Sequence, residues 1–260
     1  MAYEILNDKR ELERFLKKDI YLHLYSLGDL DDFFWPYTKF YGLRQHGEIS
    51  AVMLLYSDGN VPTVLGFFRE PTVGITLAKE IKHVLPHHFH AHFSPRVQSA
   101  FNTTHTLNHH GEFCKMALTD MSVIQHLNSS DTYRLSNAEI KDILELYCES
   151  YPGNWFNPRM LDTGQYFGIR ENGRIVSIAG IHVYSPRYKV AALGNITTLP
   201  SYRNRGLGKK VTAALCQSLN KEIDHIGLNV KANNTAAIAC YKKLGFKVIA
   251  TYNEFTVHKK

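Results

Sequence analysis

The spacing of hydrophobic and polar positions divides the chain into two similarly patterned stretches. In the first, helical spacing predicts a helix over 9–18 and a short one near 28–34. Period-two alternation then predicts strands over 40–45, 50–56 and 63–68. A helix over 74–84 and further strand-like segments as far as 118 complete it. The second stretch repeats that order, with a helix over 136–149, a Pro/Gly/Asn-rich loop at 151–158, and strands over 166–170, 175–184 and 188–198. Between them, residues 121–132 are polar and carry the run Gln-His-Leu-Asn-Ser-Ser-Asp, so the boundary falls there and two domains are expected, 1–125 and 131–260. Tyr41-Gly-Leu-Arg44 followed by His46-Gly-Glu-Ile-Ser-Ala-Val52 resembles Phe167-Gly-Ile-Arg170 followed by Asn172-Gly-Arg-Ile-Val-Ser-Ile178. Both read as strand, glycine turn and strand, which points to an internal duplication.

Composition narrows the class without choosing a function. At 260 residues and 44% hydrophobic content the chain is long enough to bury a sizeable core. Its apolar runs are interrupted well short of the ~20 residues a membrane span needs, and the first residues lack the basic-then-apolar pattern of a secretory signal. A cytoplasmic protein with no membrane partner is expected. Cys114, Cys148, Cys216 and Cys240 are scattered and form no CxxC pair, against a zinc ribbon or disulfide framework. Residues 1–130 hold 12 basic and 14 acidic side chains and residues 131–260 hold 18 and 10, so the net charge of +6 comes from the second half. That surplus suits a phosphorylated ligand or nucleic acid equally well.

Candidate chemistry is concentrated after residue 195. A strand ending at Thr198 runs into Leu199-Pro-Ser-Tyr-Arg-Asn-Arg-Gly-Leu-Gly208, and Val211, Ala214, Leu215 and Leu219 then recur at helical spacing. Gly206 and Gly208 leave backbone N–H groups uncovered at a helix start, where the dipole is positive, so the turn can hold a pyrophosphate. Arg203, Arg205 and Lys209 add charge there. The spacing is neither GxxxxGK[ST] nor GxGxxG, which sets aside a P-loop and a dinucleotide site. Further on, Gly227-Leu-Asn-Val230 reads as a buried strand, Lys231-Ala-Asn-Asn234 as a turn and cap, and 235–244 as a helix ended by Gly245. Asn234, Ala237 or Ile238, and Tyr241 share one face of that helix. Taken alone, Tyr241 reads equally as a core aromatic.

Arg203-x-x-Gly206-x-Gly208 followed by Asn234-x-x-Ala237-x-x-x-Tyr241-x-x-x-Gly245-Phe246 resembles the GNAT superfamily of N-acetyltransferases over about residues 131–260. The first half, which lacks RxxGxG, resembles the degenerate first domain of tandem GNAT proteins similar to the glycine N-acyltransferase-like group. The resemblance implies an α/β (α+β) protein of two tandem GNAT-like domains, each a mixed, mostly antiparallel sheet flanked by helices, with acetyl-CoA bound in the second domain only.

By the same resemblance, Ile196, Thr197 and Thr198 contact the pantetheine, and Arg203, Asn204, Arg205, Gly206, Leu207, Gly208 and Lys209 hold the pyrophosphate. Asn234 and Ala237 lie further along the cofactor, and Tyr241 sits near the sulfur as an assisting general acid. Residues 188–198 contain no carboxylate to act as base, so His182, whose ordinary pKa is near neutrality, and Asn195, ordering a water, are the candidates for that role. Tyr151, Asn154, Trp155 and Phe156 are the expected wall of the acceptor pocket. His88, His90 and His92 alternate along one strand face, with His105, His109 and His110 nearby; without HExxH or interleaved cysteines they read as a wet strand face, and no metal is expected.

The expected activity is transfer of an acetyl group from acetyl-CoA to a primary amine of a small molecule or peptide, by a monomer or homodimer. The alternative is a non-catalytic acyl-CoA-binding or regulatory module, motivated by the missing strand carboxylate. Nucleic-acid binding has no recognition motif in its favour.

Overall fold

The first helix begins where Asp8 can cap it, the carboxylate accepting hydrogen bonds from the backbone N–H groups of Arg10 and Glu11. The computed structural model describes residues 2–59 and 61–260. In chain order, its elements are β1 (Glu4–Leu6), α1 (Lys9–Leu16), α2 (Leu24–Gly28), β2 (Thr38–Gln45), β3 (Glu48–Tyr56), β4 (Thr63–Gly66), α3 (Pro71–Ile81), β5 (His88–Phe93) and β6 (His105–Leu118). Then follow α4 (Ser122–Gln125), β7 (Tyr133–Arg134), α5 (Ile140–Ser150), β8 (Phe167–Glu171), β9 (Arg174–Ser185), β10 (Val190–Thr198), α6 (Leu207–Leu219), β11 (His225–Lys231), α7 (Thr235–Lys243) and β12 (Phe246–Lys259). The expected short helix near 28–34 lies earlier, as α2, and a helical turn occupies part of the polar boundary as α4.

The chain forms two compact units that are not consecutive in sequence. One runs to Lys115 and adds Val230–Asn233 and Val248–Lys260; the other comprises Met116–Asn229 and Asn234–Lys247. This differs from a division into 1–125 and 131–260. The physical reason is β12, which pairs antiparallel with β5 from Asn253 opposite Phe93 to His258 opposite His88. Phe255 and Val257 thereby enter the first unit's core beside Phe89, Ala91 and Phe93. The strand order there is β1-β2-β3-β4-β5-β12-β6, and in the second unit it is β11-β10-β9-β8-β7. Each sheet is mixed: β4 pairs parallel with β5 and β10 parallel with β11, whereas the hairpin strands pair antiparallel.

The two hairpins suspected of being a repeat share their irregularities. In both, the register slips at an arginine, between Leu43 and Arg44 and between Ile169 and Arg170. In both, the turn has two residues of positive φ, His46-Gly47 and Asn172-Gly173, the pattern a tight hairpin needs to follow the strand twist. Each arginine donates to the carbonyl of its turn glycine, Arg44 to Gly47 and Arg170 to Gly173. Each also pairs with a carboxylate of the preceding helix, Glu11 and Asp142 respectively. Finally, Gly42 and Gly168 each lie under a leucine of the first strand region, Leu6 and Leu135, which would meet any added Cβ. So many coincident details mark one device used twice.

The first unit closes the edge where its two parallel strands end. β4 and β5 pair to their last residues, Gly66 opposite Phe93. Beyond them the Ser94 N–H donates to the Gly66 carbonyl at 2.9 Å, and the Ser94 hydroxyl accepts from the Phe68 N–H at 2.9 Å. Near that end the Lys115 ammonium is 2% exposed, 3.7 Å from the Phe67 ring centroid and 5.5 Å from that of Tyr252.

Of the histidines noted in the sequence, His88 is exposed and stacks on His258 at 4.2 Å. His90 and His92 are half-buried, so the strand face is only partly wet. His92 lies 3.4 Å from Glu254. His105 is buried between Phe89 and Phe101, while His109 and His110 meet Asn253 and Thr256. Among the described residues no group of three His, Cys, Asp or Glu is placed to hold a metal ion. Among the described residues no helix is long and apolar enough to cross a membrane.

Candidate functional site

In the second unit the corresponding parallel strands part early. β10 and β11 pair only from Val190–His225 to Leu193–Leu228, although β10 continues to Thr198 along β9. A bulge between Gly194 and Thr197, with Asn195 at φ 54°, turns the strand at that point. Bulges re-aim side chains and interrupt pairing, and here the interruption leaves Ile196, Thr197 and Thr198 half-buried with no register partner on β11 among the described residues. On the facing strand, Asn229 is the first residue past the last pair, and its buried Oδ1 has no hydrogen-bond partner among the described residues.

The turn after β10 leads into a helix start with exposed backbone N–H groups. Asn204 and Gly206 have φ of 65° and 78°, and the N-terminus of α6 has no side-chain cap, so its first N–H groups stay available to an incoming anion. A Cβ built at Gly206 meets nothing within 4 Å, and one at Gly208 meets only the Thr198 hydroxyl at 3.4 Å. Arg203 is exposed and braces the turn, its Nε donating to the Thr198 carbonyl at 3.2 Å. Thr198 is itself fixed by Ser177, their hydroxyls 2.8 Å apart.

Three turn residues are less openly placed than their types suggest. Arg205 lies over the Tyr202 ring, 4.8 Å from its centroid, with Glu171 at 3.6 Å. Leu207 is buried and offers only its backbone. Lys209 is half-buried in the first turn of α6.

Helix α7 presents the companion residues. Asn234 is its N-cap, and its Oδ1 accepts from the Ala237 N–H at 3.1 Å, which commits that oxygen to the helix and leaves the amide nitrogen for other use. Ala237 is half-buried, and Tyr241 is the buried residue of α7, packed against Phe246 at 5.9 Å. Burial pushes the Tyr241 hydroxyl well above its ordinary pKa, so it remains protonated throughout the physiological range.

His182 and Asn195 come together over a floor made by two glycines. Gly180 on β9 and Gly194 on β10 face each other across the strands. A Cβ on the first would overlap the Tyr166 ring, and one on the second the His182 ring. His182 is the extra residue where the β9–β10 register slips, between Val183 opposite Ala192 and Ile181 opposite Leu193, and its ring leans on Trp155 at 5.5 Å. The Asn195 amide nitrogen donates to the Trp155 carbonyl and to the Tyr166 hydroxyl, both at 3.1 Å. Tyr166 donates onward to the Ile181 carbonyl at 3.0 Å, and Tyr147 donates to the Asn195 carbonyl at 2.8 Å.

Asn195 is thus anchored by its nitrogen, and its buried Oδ1 keeps an acceptor position with no partner among the described residues. The loop splits in two: Phe156 packs between Tyr147 and Tyr166, closing the core, whereas Tyr151 and Trp155 are 45% and 43% exposed. Asn154 carries a buried amide nitrogen without a described partner.

Sequence reasoning passed over Tyr147, Tyr166, Gly180, Gly194 and Asn229. Glycine inside a strand pattern was the available signal for two of them, since it marks a close approach. Gly180→Ala is expected to cost about 2–3 kcal/mol by forcing Tyr166 off its place, read as a lower urea midpoint at unchanged slope; an unaltered midpoint would mean the floor is not tightly packed.

Residues 131–246 match the model of the acetyltransferase (GNAT) family. The [ribosomal protein bS18]-alanine N-acetyltransferase of Escherichia coli K12 is 34% identical over 94 residues, 36% of this chain and 57% of the relative, so the chain spans little more than half of that protein's length. The N-alpha-acetyltransferase RimI of Mycobacterium tuberculosis is 28% identical over 134 residues, 50% of this chain and 80% of that protein. In fold, the chain is similar to a Drosophila protein over 99% of its length and 98% of the other, with TM-score 0.73 and 16% identity. It is likewise similar to a tandem GNAT protein from the clavulanic acid biosynthesis pathway, over 99% and 98%, with TM-score 0.55 and 13% identity.

Proposed function

From the match of residues 131–246 to the acetyltransferase (GNAT) family model, we propose that the chain transfers an acetyl group from acetyl-CoA to a primary amine of a small molecule or peptide. The observation that carries this reading is the early parting of β10 from β11 at Leu193–Leu228, directly before an uncapped helix start bearing Gly206 and Gly208. Acyl-CoA, the co-substrate, supplies the acyl group as a thioester. The main chain of Ile196, Thr197 and Thr198 lies along the opening to take the pantetheine, the turn from Arg203 to Lys209 takes the pyrophosphate, and the Asn234 amide and Ala237 line the path beyond. The closed β4–β5 edge supports one such site per chain, in the second unit. The grouping with glycine N-acyltransferase-like proteins belongs to this proposal and rests on the repeated hairpin.

Tyr241 holds a proton where the leaving thiolate needs one. A thiol has an ordinary pKa of ~8.5, and burial holds the tyrosine far above that, so the proton moves uphill and Tyr241 assists by hydrogen bonding more than by full transfer. Tyr241→Phe is therefore expected to lower kcat about 10- to 100-fold with little change in KM, and loss of acetyl-CoA binding instead would give the residue a purely structural part. His182 is the candidate to receive the amine proton, with Asn195 Oδ1 positioned to order a water or the amine itself.

Calorimetry with acetyl-CoA, followed by thiol release across an amine panel, tests the whole reading. Binding at one site per chain with turnover is expected. Binding without turnover on any amine would favour a non-catalytic acyl-CoA-binding or regulatory module, and absence of binding would remove both.

A further inference from the structure

The β9–β10 ladder leaves its register and then regains it. Ala192 faces Val183, Leu193 faces Ile181 and Gly194 faces Gly180, and from Thr197 opposite Ile178 the original register holds again. One residue is extra on β9, His182, and one on β10, within 195–196, so two bulges of opposite sense bracket the short run that carries the facing glycines. A bulge costs backbone groups their ladder partners. At each of these two a buried tyrosine hydroxyl takes up a carbonyl: Tyr166 donates to that of Ile181 at 3.0 Å and Tyr147 to that of Asn195 at 2.8 Å. The Asn195 amide, donating to the Tyr166 hydroxyl at 3.1 Å, joins the two. Burial raises the pKa of both tyrosines, so both hydroxyls keep the proton they donate.

The Asn195 carbonyl also stands in line for β11. At the start of the β10–β11 ladder the His225 N–H donates to the Lys189 carbonyl at 3.0 Å, and acceptors in a parallel ladder recur at every second residue. After Lys189 the acceptors in turn are Ala191, Leu193 and then Asn195. Pairing ends at Leu193 opposite Leu228, and the Asn195 carbonyl is held by Tyr147 instead. The strands part at the first carbonyl in the series that a side chain has claimed.

The first unit supplies the comparison. Counted from the equivalent glycines Gly42 and Gly168, Phe40 stands for Tyr166 and Leu54 for Gly180, and Leu65 faces Leu54 as Gly194 faces Gly180. Counted from Glu11 and Asp142, which bind the equivalent arginines, the buried Leu16 stands for Tyr147. Both hydroxyls and both glycines are missing there. The β3–β4 register runs unbroken from Leu54 opposite Leu65 to Tyr56 opposite Thr63, and β4 pairs with β5 to its last residue.

We propose that Tyr147 and Tyr166 are positioning residues whose hydroxyls hold the two bulges, and that Tyr147, by taking the Asn195 carbonyl out of the ladder, keeps β10 and β11 apart where the pantetheine of acyl-CoA lies. The place of the pantetheine rests on the acyl-transfer reading above; the strand geometry does not.

Tyr147→Phe removes the hydroxyl and keeps the ring against Phe156. It is expected to bind acetyl-CoA at least tenfold more weakly in calorimetry, and the loss to show in steady state as a raised KM for acetyl-CoA with kcat changed less than threefold. Tyr166→Phe, whose ring still covers Gly180, is expected to weaken binding three- to tenfold, since it acts on the neighbouring bulge. Ile175→Val, a buried change at the hairpin end of β9, sets the background: it destabilises the unit without reaching either hydroxyl and is expected to bind acetyl-CoA within twofold of the parent. Undiminished affinity in folded Tyr147→Phe, or a loss that Ile175→Val equals, overturns the inference and leaves the acyltransferase reading intact.

Hydrogen exchange without ligand separates the two readings. With the Tyr147 hydroxyl gone, the Asn195 carbonyl accepts from β11, the strands pair one rung further, and amide exchange at the end of β11 is expected to slow at least threefold. A parent protein that binds no acetyl-CoA removes the acyltransferase reading, and this measurement still decides the inference, because unchanged or faster exchange there overturns it. If Tyr147→Phe does not fold, Tyr166→Phe takes both measurements, and unchanged affinity together with unchanged exchange overturns the inference.

Discussion

Gly206→Asp is expected to weaken acetyl-CoA binding about 100-fold while leaving the thermal midpoint unchanged or raised by a degree or two. The two halves of that result have separate causes. Gly206 has φ 78° and open space around its missing Cβ, and aspartate is among the side chains that accept such a backbone most readily. It also stands at the N-cap of α6, which lacks a side-chain cap, so a carboxylate there satisfies free N–H groups and complements the dipole, worth about 0.5–1 kcal/mol. The same carboxylate occupies the place of the pyrophosphate and repels it, and a 100-fold loss corresponds to about 2.7 kcal/mol. Undiminished affinity in calorimetry, with a folded variant, would remove this turn from the binding site.

Lys115→Met is expected to stabilise the protein by about 2–4 kcal/mol at pH 7 and to flatten its stability between about pH 7 and 10. Burial lowers the Lys115 pKa to about 7, Asp19 offsetting it only in part, and its Nζ has no hydrogen-bond partner among the described residues. Unfolded, the lysine titrates near 10.4, so between the two values the unfolded chain binds more protons and stability rises with pH. Below about 7 the penalty is at its full size, at most about 5 kcal/mol for the shift involved, less the attraction of the Phe67, Tyr25 and Tyr252 rings that the ammonium retains. Methionine keeps the length and removes the charge. Urea unfolding at pH 7 and pH 10 should bring the variant's two stabilities closer together than those of the parent. A less stable variant at pH 7 would mean that the aromatic cage more than compensates the buried charge.

On the acid side, His92 and His23 act in the same direction. Burial lowers their pKa values to about 3 and about 4, below the unfolded value near 6.5. Stability contributed by keeping them neutral is present above pH 6.5 and is lost as the pH falls through that window.

The hairpins and the glycine turn were legible because each depends on neighbours in sequence. Gly47 and Gly173 announce their turns, and Arg203, Gly206 and Gly208 sit within six residues of one another. What was not legible depends on residues far apart. The last strand was missed beyond Gly245-Phe246, although Glu254, Thr256 and His258 alternate with Phe255 and Val257 in a period-two pattern; the run Ile249-Ala-Thr-Tyr-Asn253 obscured its start. The side-chain cluster around Asn195 was harder still, because Tyr147, Trp155, Tyr166 and His182 belong to four segments and only the bulge at Gly194–Thr197 brings them together. Lys115 gave no signal at all, since a lone lysine between Phe113-Cys114 and Met116-Ala117-Leu118 reads as the solvated side of a strand until its aromatic neighbours are seen.

The pairing of β12 with β5 sets an order of events during synthesis. His90 and Thr256 meet across 166 residues of chain, so β5 leaves the ribosome long before its partner is made. At about 5–20 residues per second, the edge of β5 waits on the order of ten seconds or more for the strand that will cover it. The first half to be translated is therefore not the first able to finish folding, and its open edge in that interval is a place where a chaperone, or another nascent chain, can bind.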